Sequence, residues 1–542
     1  MKKITQNNII EFTFKSAKIY KDPFNNVELT VIFAGADGKE RNVPAFWAGK
    51  SIWKVRFSSP IAGKYRYRTI CSVKTDSGLN YREGCFEVVK YKGSNPLYKN
   101  GRLCISKDRR HFEHAGKPFF WLADTWWMAL CKNLKFADFK KLIADRNKKG
   151  FTVIQVVAGL YPEIAPFDKR GMNEAGFPWE KGFKSINPGY FDVADKKIKY
   201  AIEKGIVPCI VGCWGYYLKI AGESAIKKHW RYMIARWGAL PVVWCAAGES
   251  EMAYYPEAHR MFKTPKAYDK YKDKIRPGWT RAAKYIRETD PFNNILTIHP
   301  TDYGRKMVED SRVIDFEMLQ SGHSSFYTLR HTVKMLQKSL KSRPVMPVLV
   351  AEACYEGIFC SSFDEVQRFL FWSTMLLGGA GYTYGADGLW NFNSKKAPFG
   401  RNVSGISYGN RTWQEAYEMP GGKHIGIAKK LLANYDWNKL EPHPEWVGGN
   451  DKVRDELKYL YAAGIPKEVR MIYIPWALFW AANNPVSVKG IERGICYSAF
   501  YFDPRTGKET YLGNVSPDNK GTWQSPRPPS FGDWVLVIKR KR

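Results

Sequence analysis

No apolar run in this chain approaches the length of a membrane span, so no transmembrane helix is expected. The amino terminus, MKKITQNNIIEF, has the two lysines of a secretory leader but lacks the apolar segment that follows them in one. The reading stays open between a cytoplasmic protein and a secreted or periplasmic one whose leader is gone. No Cys-X-X-Cys pair occurs among the ten cysteines, and Cys209 and Cys213 have the wrong spacing for a zinc site. Neither a metal nor a cofactor is expected. Cys209, Cys213 and Cys245 fall inside apolar runs, where a free thiol acts as a small hydrophobe. So many unpaired thiols favour a reducing compartment, although Cys71 and Cys85 could join across a hairpin. Acidic residues are scarce, 52 against 85 Lys and Arg, for a formal charge of +33. Such a field draws polyanions, an acidic polysaccharide among them, and it also serves solubility alone. The basic residues are spread along the chain, and the one dense run is Lys539-Arg540-Lys541-Arg542. With no zinc-finger spacing and no RNP-type strand, a specific nucleic-acid partner is not expected. Internal repeats and low-complexity segments are absent as well.

Aromatic residues, by contrast, are abundant: 20 Trp and 31 Tyr. Sugar rings present apolar C–H faces that stack on flat side chains, so the excess suits a carbohydrate partner. The competing use is the filling of large cores. At 542 residues the chain is too long for one ordinary domain. Residues 1–96 read as an antiparallel, Ig-like β-sandwich. Alternating strands recur at IEFTFKSA, VELTVIFAG, IWKVRFSSP, KYRYRTICSV and CFEVVKY, parted by turns at Asp37-Gly38, Ala62-Gly63 and Asp76-Ser77-Gly78.

Over residues 97–438 the period changes. Apolar strands (FFWLADTWW, FTVIQVVAG, IVPCIVGCWG, VVWCAAGES, NILTIHP, IDFEMLQSGH, PVLVAEACYEG, GAGYTYGADGLW) alternate with helical patterns. One helix carries Phe136, Phe139, Leu142 and Ile143 on one face and stops at Gly150. The next carries Phe191, Ala194, Ile198, Ala201 and Ile202. Ser362 and Glu365 stand at the N-cap and capping-box positions of a later one. Eight strands and their helices are the rhythm of a (β/α)8 TIM barrel. Residues 439–542 return to β character, with Asp503-Pro504-Arg505-Thr506-Gly507 as a hairpin turn and a second β-sandwich expected. The predicted fold is multidomain, a central barrel between two sandwiches. No long flexible linker separates the parts, which predicts fixed packing of the flanks on the barrel.

In a barrel the chemistry sits at the C-terminal strand ends. Two runs, PVVWCAAGES and PVLVAEACYEG, stop abruptly at Glu249 and Glu352, on strands four and seven across the mouth from each other. A facing pair of carboxylates is the minimum equipment for cleaving a glycosidic bond. Glu249 would protonate the leaving oxygen, its pKa raised by apolar neighbours such as Trp244, and Glu352 would attack the anomeric carbon. The remaining strand ends supply Asp124, Trp126, Trp127, Gln155, Trp214, His299, Gln320, His323, Tyr355, Tyr384 and Trp390. This ring of carboxylate, imidazole, amide and indole groups suits a polyol. Each has a rival reading. Glu251 competes with Glu249, and Glu356 with Glu352. Asp124 is either a substrate ligand or a salt-bridge partner shaping the barrel floor. Only one of Trp126 and Trp127 can face a sugar, because neighbouring side chains of an extended segment point apart. His299 and His323 are read as hydrogen-bonding groups rather than metal ligands.

The strings FFWLADTWW, VVWCAAGES, FEMLQSGH, VLVAEACYEG and GAGYTYGADGLW resemble the apiosidase-like barrel of glycoside hydrolase family 140 and its relatives. The preceding sandwich resembles the small β domain found before that barrel. The tail, with YFDPRTG, resembles a C-terminal β domain once labelled collagen-binding, a label with no physical warrant here. The resemblance covers nearly the whole chain. It implies a retaining active site with Glu352 as nucleophile and Glu249 as acid/base. Apiose-releasing members tend to carry Asp after Gly-Gly where this chain has Ala247-Gly248-Glu249. That departure keeps the chemistry and moves the proton donor by about one methylene. The expected activity is therefore that of a glycoside hydrolase on a plant or microbial polysaccharide or oligosaccharide. The alternatives are a non-catalytic carbohydrate-binding protein, or a transglycosylase whose acceptor stacks on Trp390 or Trp214. Oligomeric state is left open.

Overall fold

The computed structural model of the protein describes residues 1–261, 264–476 and 484–541. Arg542, the end of the terminal basic run, lies outside them. The centre of the chain is an eight-stranded sheet in which every recorded neighbour pair is parallel. In chain order its strands are Trp121–Thr125, Val153–Val157, Val207–Val211, Val243–Cys245, Leu296–Thr297, Glu317–Gly322, Val348–Ala353 and Gly381–Tyr384. Nearly every residue of these strands is buried, because helices cover the outside and side chains fill the inside. The barrel is almost closed. Strands five and six are its two ends, joined where Leu296 and Asp315 bond backbone to backbone and Thr297 Oγ1 donates to Phe316 O at 2.8 Å.

Helices follow seven of the eight strands: Phe136–Lys148, Pro188–Glu203, Glu223–Trp237, Pro265–Thr289, Phe326–Leu340, Asp364–Leu376 and Pro420–Leu432. The predicted apolar stripes face inward at Phe139, Leu142 and Ile143, and at Phe191, Ala194, Ile198, Ala201 and Ile202. Phe136 sits at the solvent edge. Two expectations fail. Only short 3₁₀ turns, Gly304–Met307 and Ser311–Val313, connect strands five and six, so no fifth α-helix exists. Ser362 is not an N-cap: its φ is +59°, the helix begins at Asp364, and no side chain caps it.

The N-terminal region pairs a five-stranded sheet with a three-stranded one around an aromatic core in which Phe33 stacks on Phe57 at 4.3 Å. Its first strand, Lys2–Thr5, was not predicted and runs parallel to Glu83–Val89. A short, polar edge strand leaves no periodic signal. Cys71 and Cys85 stay free: Cys85 lies opposite Arg66, five residues along the strand from Cys71, about 17 Å at ~3.4 Å per residue. The C-terminal region forms a six-stranded sheet, Glu441–Pro442 to Trp534–Arg540, with a two-stranded partner. The Asp503 turn closes a hairpin, with Gly507 N–H bonded to Asp503 O at 2.8 Å.

Both flanks are bolted to barrel helices by buried ions. Arg56 pairs with Asp195 and donates to Arg236 O at 2.8 Å. Arg368 pairs with Asp533 at 2.7 Å, beside Trp372 stacked on Tyr473. No helix among the described residues is long and apolar enough to cross a membrane.

Candidate active site

Glu249 lies just past strand four, in a turn gripped from both sides. Gly248 N–H donates to Cys213 O at 2.9 Å and Gly215 N–H to Gly248 O at 2.7 Å on the strand-three side. On the strand-five side His299 N–H donates to Ala247 O at 2.9 Å and Ser250 N–H to His299 O at 3.2 Å. The Trp214 indole lies flat against Gly248, where a Cβ would come within 2.2 Å of the ring, so only glycine fits. Glu249 itself is held at φ +39°, a strained backbone for a side chain and one that such a grip can impose. Glu352, next to last in strand seven, needs no such device.

The two glutamates share one donor. Gln320 Nε2 reaches Glu249 Oε1 at 2.8 Å and Glu352 Oε1 at 3.0 Å. The Gln320 backbone lies at an irregularity in the strand six–seven register, which turns its amide toward both carboxylates. Trp214 Nε1 donates to Glu249 Oε2 at 3.0 Å. His323 Nε2 is 3.0 Å from Glu352 Oε1, and His299 Nε2 is 3.4 Å from Glu352 Oε2. Tyr355 stands alongside, its hydroxyl taking the Trp127 indole N–H at 3.0 Å and its backbone N–H reaching His323 Nδ1 at 3.3 Å.

These surroundings drive the two carboxyls apart. Burial, then the charge of Glu352, pushes Glu249 up to about 8. Burial also acts to raise Glu352, but the His299 and His323 imidazoles outweigh it and hold that carboxyl well below the usual range. One glutamate thus keeps its proton at a pH where the other is an anion.

A cavity of about 260 Å³ opens over the pair. Of the residues expected at the strand ends, Trp127, Trp214, Glu249, Gln320, His323, Glu352, Tyr355 and Trp390 line it. His299 lies one layer deeper, fully buried, edge-on to Trp127. Four others are not at the cavity. Asp124 is buried in an ion pair with Arg146 at 2.6 Å and accepts the Trp126 indole N–H at 2.7 Å, so both residues serve the barrel wall. Gln155 is wholly buried and donates to Ala351 O at 3.4 Å. The Tyr384 hydroxyl is spent on Glu356, whose other oxygen takes the Gly421 N–H at 2.9 Å. Glu356 is therefore a structural carboxylate, and so is Glu251, paired with Arg276 at 2.7 Å. Trp244, expected to desolvate Glu249, instead donates to Asp290 at 2.8 Å. Among the described residues no cluster of three or more His, Cys, Asp or Glu could hold a metal ion.

The cavity also contains residues that strand-end reading misses: Glu163, Tyr255, Phe359 and Tyr408. All lie in loops or a short helix beyond the strands, and the one available signal is a carboxylate, Tyr161-Pro162-Glu163, soon after strand two.

Solved structures share this architecture. A glycoside hydrolase at 22% identity covers 83% of this chain and 98% of its own with a TM-score of 0.66. A family 5 glycoside hydrolase from Bacteroides vulgatus ATCC 8482 is similar at 21% identity over 83% of this chain and 95% of its own, also with a TM-score of 0.66. Another crystal structure from that organism spans 100% of both chains at 16% identity and a TM-score of 0.71. No curated protein matches the chain. Residues 3–72 match a domain of unknown function, DUF5060. Residues 106–439, well over half of the chain and the whole of the barrel, match the apiosidase-like catalytic domain. The chain belongs to the apiosidase-like family and is a glycoside hydrolase, with a carbohydrate as its substrate.

Proposed function

We propose that the enzyme is a retaining glycosidase in which Glu352 is the nucleophile and Glu249 the acid/base, acting on a polysaccharide fragment or oligosaccharide of plant or microbial origin. The observation that carries this is the shared Gln320 amide. Two acceptors of one NH₂ group lie about 120° apart as seen from the nitrogen. With legs of 2.8 and 3.0 Å, the two carboxylate oxygens can lie no more than about 5.8 Å apart, and an ideal angle would put them at about 5 Å. Direct attack on the anomeric carbon needs ~5–5.5 Å, whereas an inverting pair must leave ~6.5–9.5 Å for a water.

The charge pattern supports the same cycle. Glu249 donates its proton to the glycosidic oxygen as Glu352 bonds to the anomeric carbon and the alcohol leaves. Esterification removes the charge of Glu352, one of the causes that hold the proton on Glu249. Glu249, now the better anion, takes a proton from the incoming water, which displaces Glu352 and restores both groups. No cofactor enters any step.

The test is hydrolysis of a panel of aryl glycosides and pectin-type oligosaccharides by the wild type, Glu249→Gln and Glu352→Gln. Turnover of any member, lost in both variants, supports the assignment. A 2-fluoro aryl glycoside of the same sugar should leave its mass on the peptide containing Glu352. Activity surviving Glu352→Gln overturns it.

A further inference from the structure

Among the described residues no lysine or arginine of this chain, whose formal charge is +33, lines the cavity. Its lining holds three carboxylates, Glu163, Glu249 and Glu352. Two of the three are used by the mechanism above. Glu163 is not, yet it is firmly fixed. Its backbone sits at φ +64°, a conformation that side chains avoid. One oxygen accepts from the Tyr255 hydroxyl and the other from Asn402 Nδ2, while its carbonyl takes the Val403 N–H at 3.1 Å. The loop after strand two, the helix Tyr255–Met261 and the loop after strand eight thus converge on one carboxylate. Among the described residues Glu163 has no ion-pair partner, so its charge faces the cavity uncompensated. Glu249 feels that charge, which adds to what holds its proton. The Tyr408 hydroxyl is a third partner of this carboxylate; a carboxylate has about four acceptor sites, which leaves room for a ligand hydroxyl.

The rim beside Glu163 is apolar. Phe359 is 56% exposed at φ +51°, in a loop where Gly357, Cys360 and Ser362 are also left-handed. Its ring lies 5.9 Å from that of Tyr408, which in turn meets Trp390 edge-on at 5.2 Å. A strained loop that holds a phenyl ring toward solvent at a cavity mouth offers a platform to a C–H face.

We propose that Glu163 is a specificity-determining residue and that the glycosyl unit taken into this cavity is neutral, with hydroxyls for Glu163 and an apolar face for Phe359 and Tyr408. This rests on the glycosidase reading above and narrows it. A uronate in the cavity would meet the carboxylates of Glu163 and Glu352 beside a protonated Glu249, and no lysine or arginine, which sets aside the acidic polysaccharide that the overall charge invites.

The experiment compares aryl glycosides and free sugars in matched pairs that differ only in hydroxymethyl against carboxylate, galactose with galacturonate and glucose with glucuronate. Turnover and calorimetric binding are both measured. The wild type should favour the neutral member by about tenfold or more, and Glu163→Gln should narrow that ratio by about tenfold while weakening the neutral sugar. A wild type that takes the uronic member equally well, or a Glu163→Gln variant with an unchanged ratio, overturns the proposal. If uronates are preferred while Glu249→Gln and Glu352→Gln abolish turnover, this proposal falls alone. If neither member of any pair binds, it falls together with the glycosidase reading.

Discussion

Replacing Trp214 with Phe should move the alkaline limit of activity upward, although it removes a bond from the proposed acid. The Trp214 indole N–H donates to Glu249 Oε2 at 3.0 Å. A hydrogen bond to an ionised carboxylate is worth about 2 kcal/mol and one to the protonated group about 1 kcal/mol. Losing it therefore disfavours the anion by about 1 kcal/mol, or about 0.7 pH unit at 1.36 kcal/mol per unit. Phe keeps an aromatic ring against Gly248, where the indole now lies. The assay is kcat/KM against pH on the best aryl glycoside, because that ratio reports the ionisation of the free enzyme. In the wild type the alkaline limb should fall near 8, set by Glu249, and the acidic limb well below the ordinary carboxylate range, set by Glu352. The height of the profile will drop with lost substrate contact, but only the position of the limb is diagnostic. A limb that stays in place, or moves down, refutes the reasoning: the group titrating there is then not Glu249 held by Trp214.

Three further outcomes follow from the same geometry. In Glu249→Gln, azide should restore turnover of a substrate with an activated leaving group, since azide needs no general base, and the glycosyl azide should keep the substrate's anomeric configuration; an inverted product would contradict a double displacement. Arg146→Leu leaves Asp124 as a buried, unpaired carboxylate and should cost about 3–5 kcal/mol in denaturant unfolding; a loss below about 1 kcal/mol would mean that the pair does not hold the barrel wall. Glu356 is raised to about 7, chiefly by burial. A raised carboxyl stabilises the folded state fully below its unfolded value near 4.5, and that contribution disappears as pH rises through about 7, a loss of up to about 3 kcal/mol. Glu356→Gln should therefore flatten the fall in stability between pH 5 and 8 by that amount, and parallel curves for wild type and variant would exclude the effect.

The barrel was legible because its strands are buried on both faces and so read as unbroken apolar runs, and because helical stripes such as Phe191 to Ile202 recur between them. What escaped had no period to read. Lys2–Thr5 is a four-residue edge strand with no buried residue, and the connection after strand five folds as 3₁₀ turns where the repeating rhythm asked for a helix. The strand-end rule led to the cavity but did not give each side chain's facing. It brought Trp127, Trp214, Gln320, His323, Tyr355 and Trp390 to the cavity along with both glutamates. It failed for Asp124, Gln155 and Tyr384, which stand at equally good strand positions and point into wall or floor, since neighbouring side chains on a strand diverge. Glu163, Tyr255 and Tyr408 come from segments almost 250 residues apart in sequence, and only tertiary structure brings them together.

Two residues of the same type end up with opposite charge because the fold treats them differently at the backbone. Glu352 keeps its place inside its strand, paired with Gln320 at the register irregularity, so its carboxylate meets groups fixed by neighbouring strands: His299 after strand five, and Gln320 and His323 from strand six and just past it. Imidazoles on both oxygens favour the anion. Glu249 lies past its strand, turned by a left-handed φ toward the indole of Trp214 and the open side, where its charged neighbours are Glu352 and Glu163. A regular strand at position 249 would send the carboxyl elsewhere and lose both the shared amide and the repulsion that keeps it protonated. The strain at Glu249 and the glycine before it are thus part of the electrostatics. Gly248→Ala, whose Cβ would stand 2.2 Å from the Trp214 ring and so must displace it, should disturb the alkaline limb more than it disturbs stability. A variant that loses stability while leaving that limb in place would show that the turn serves packing alone.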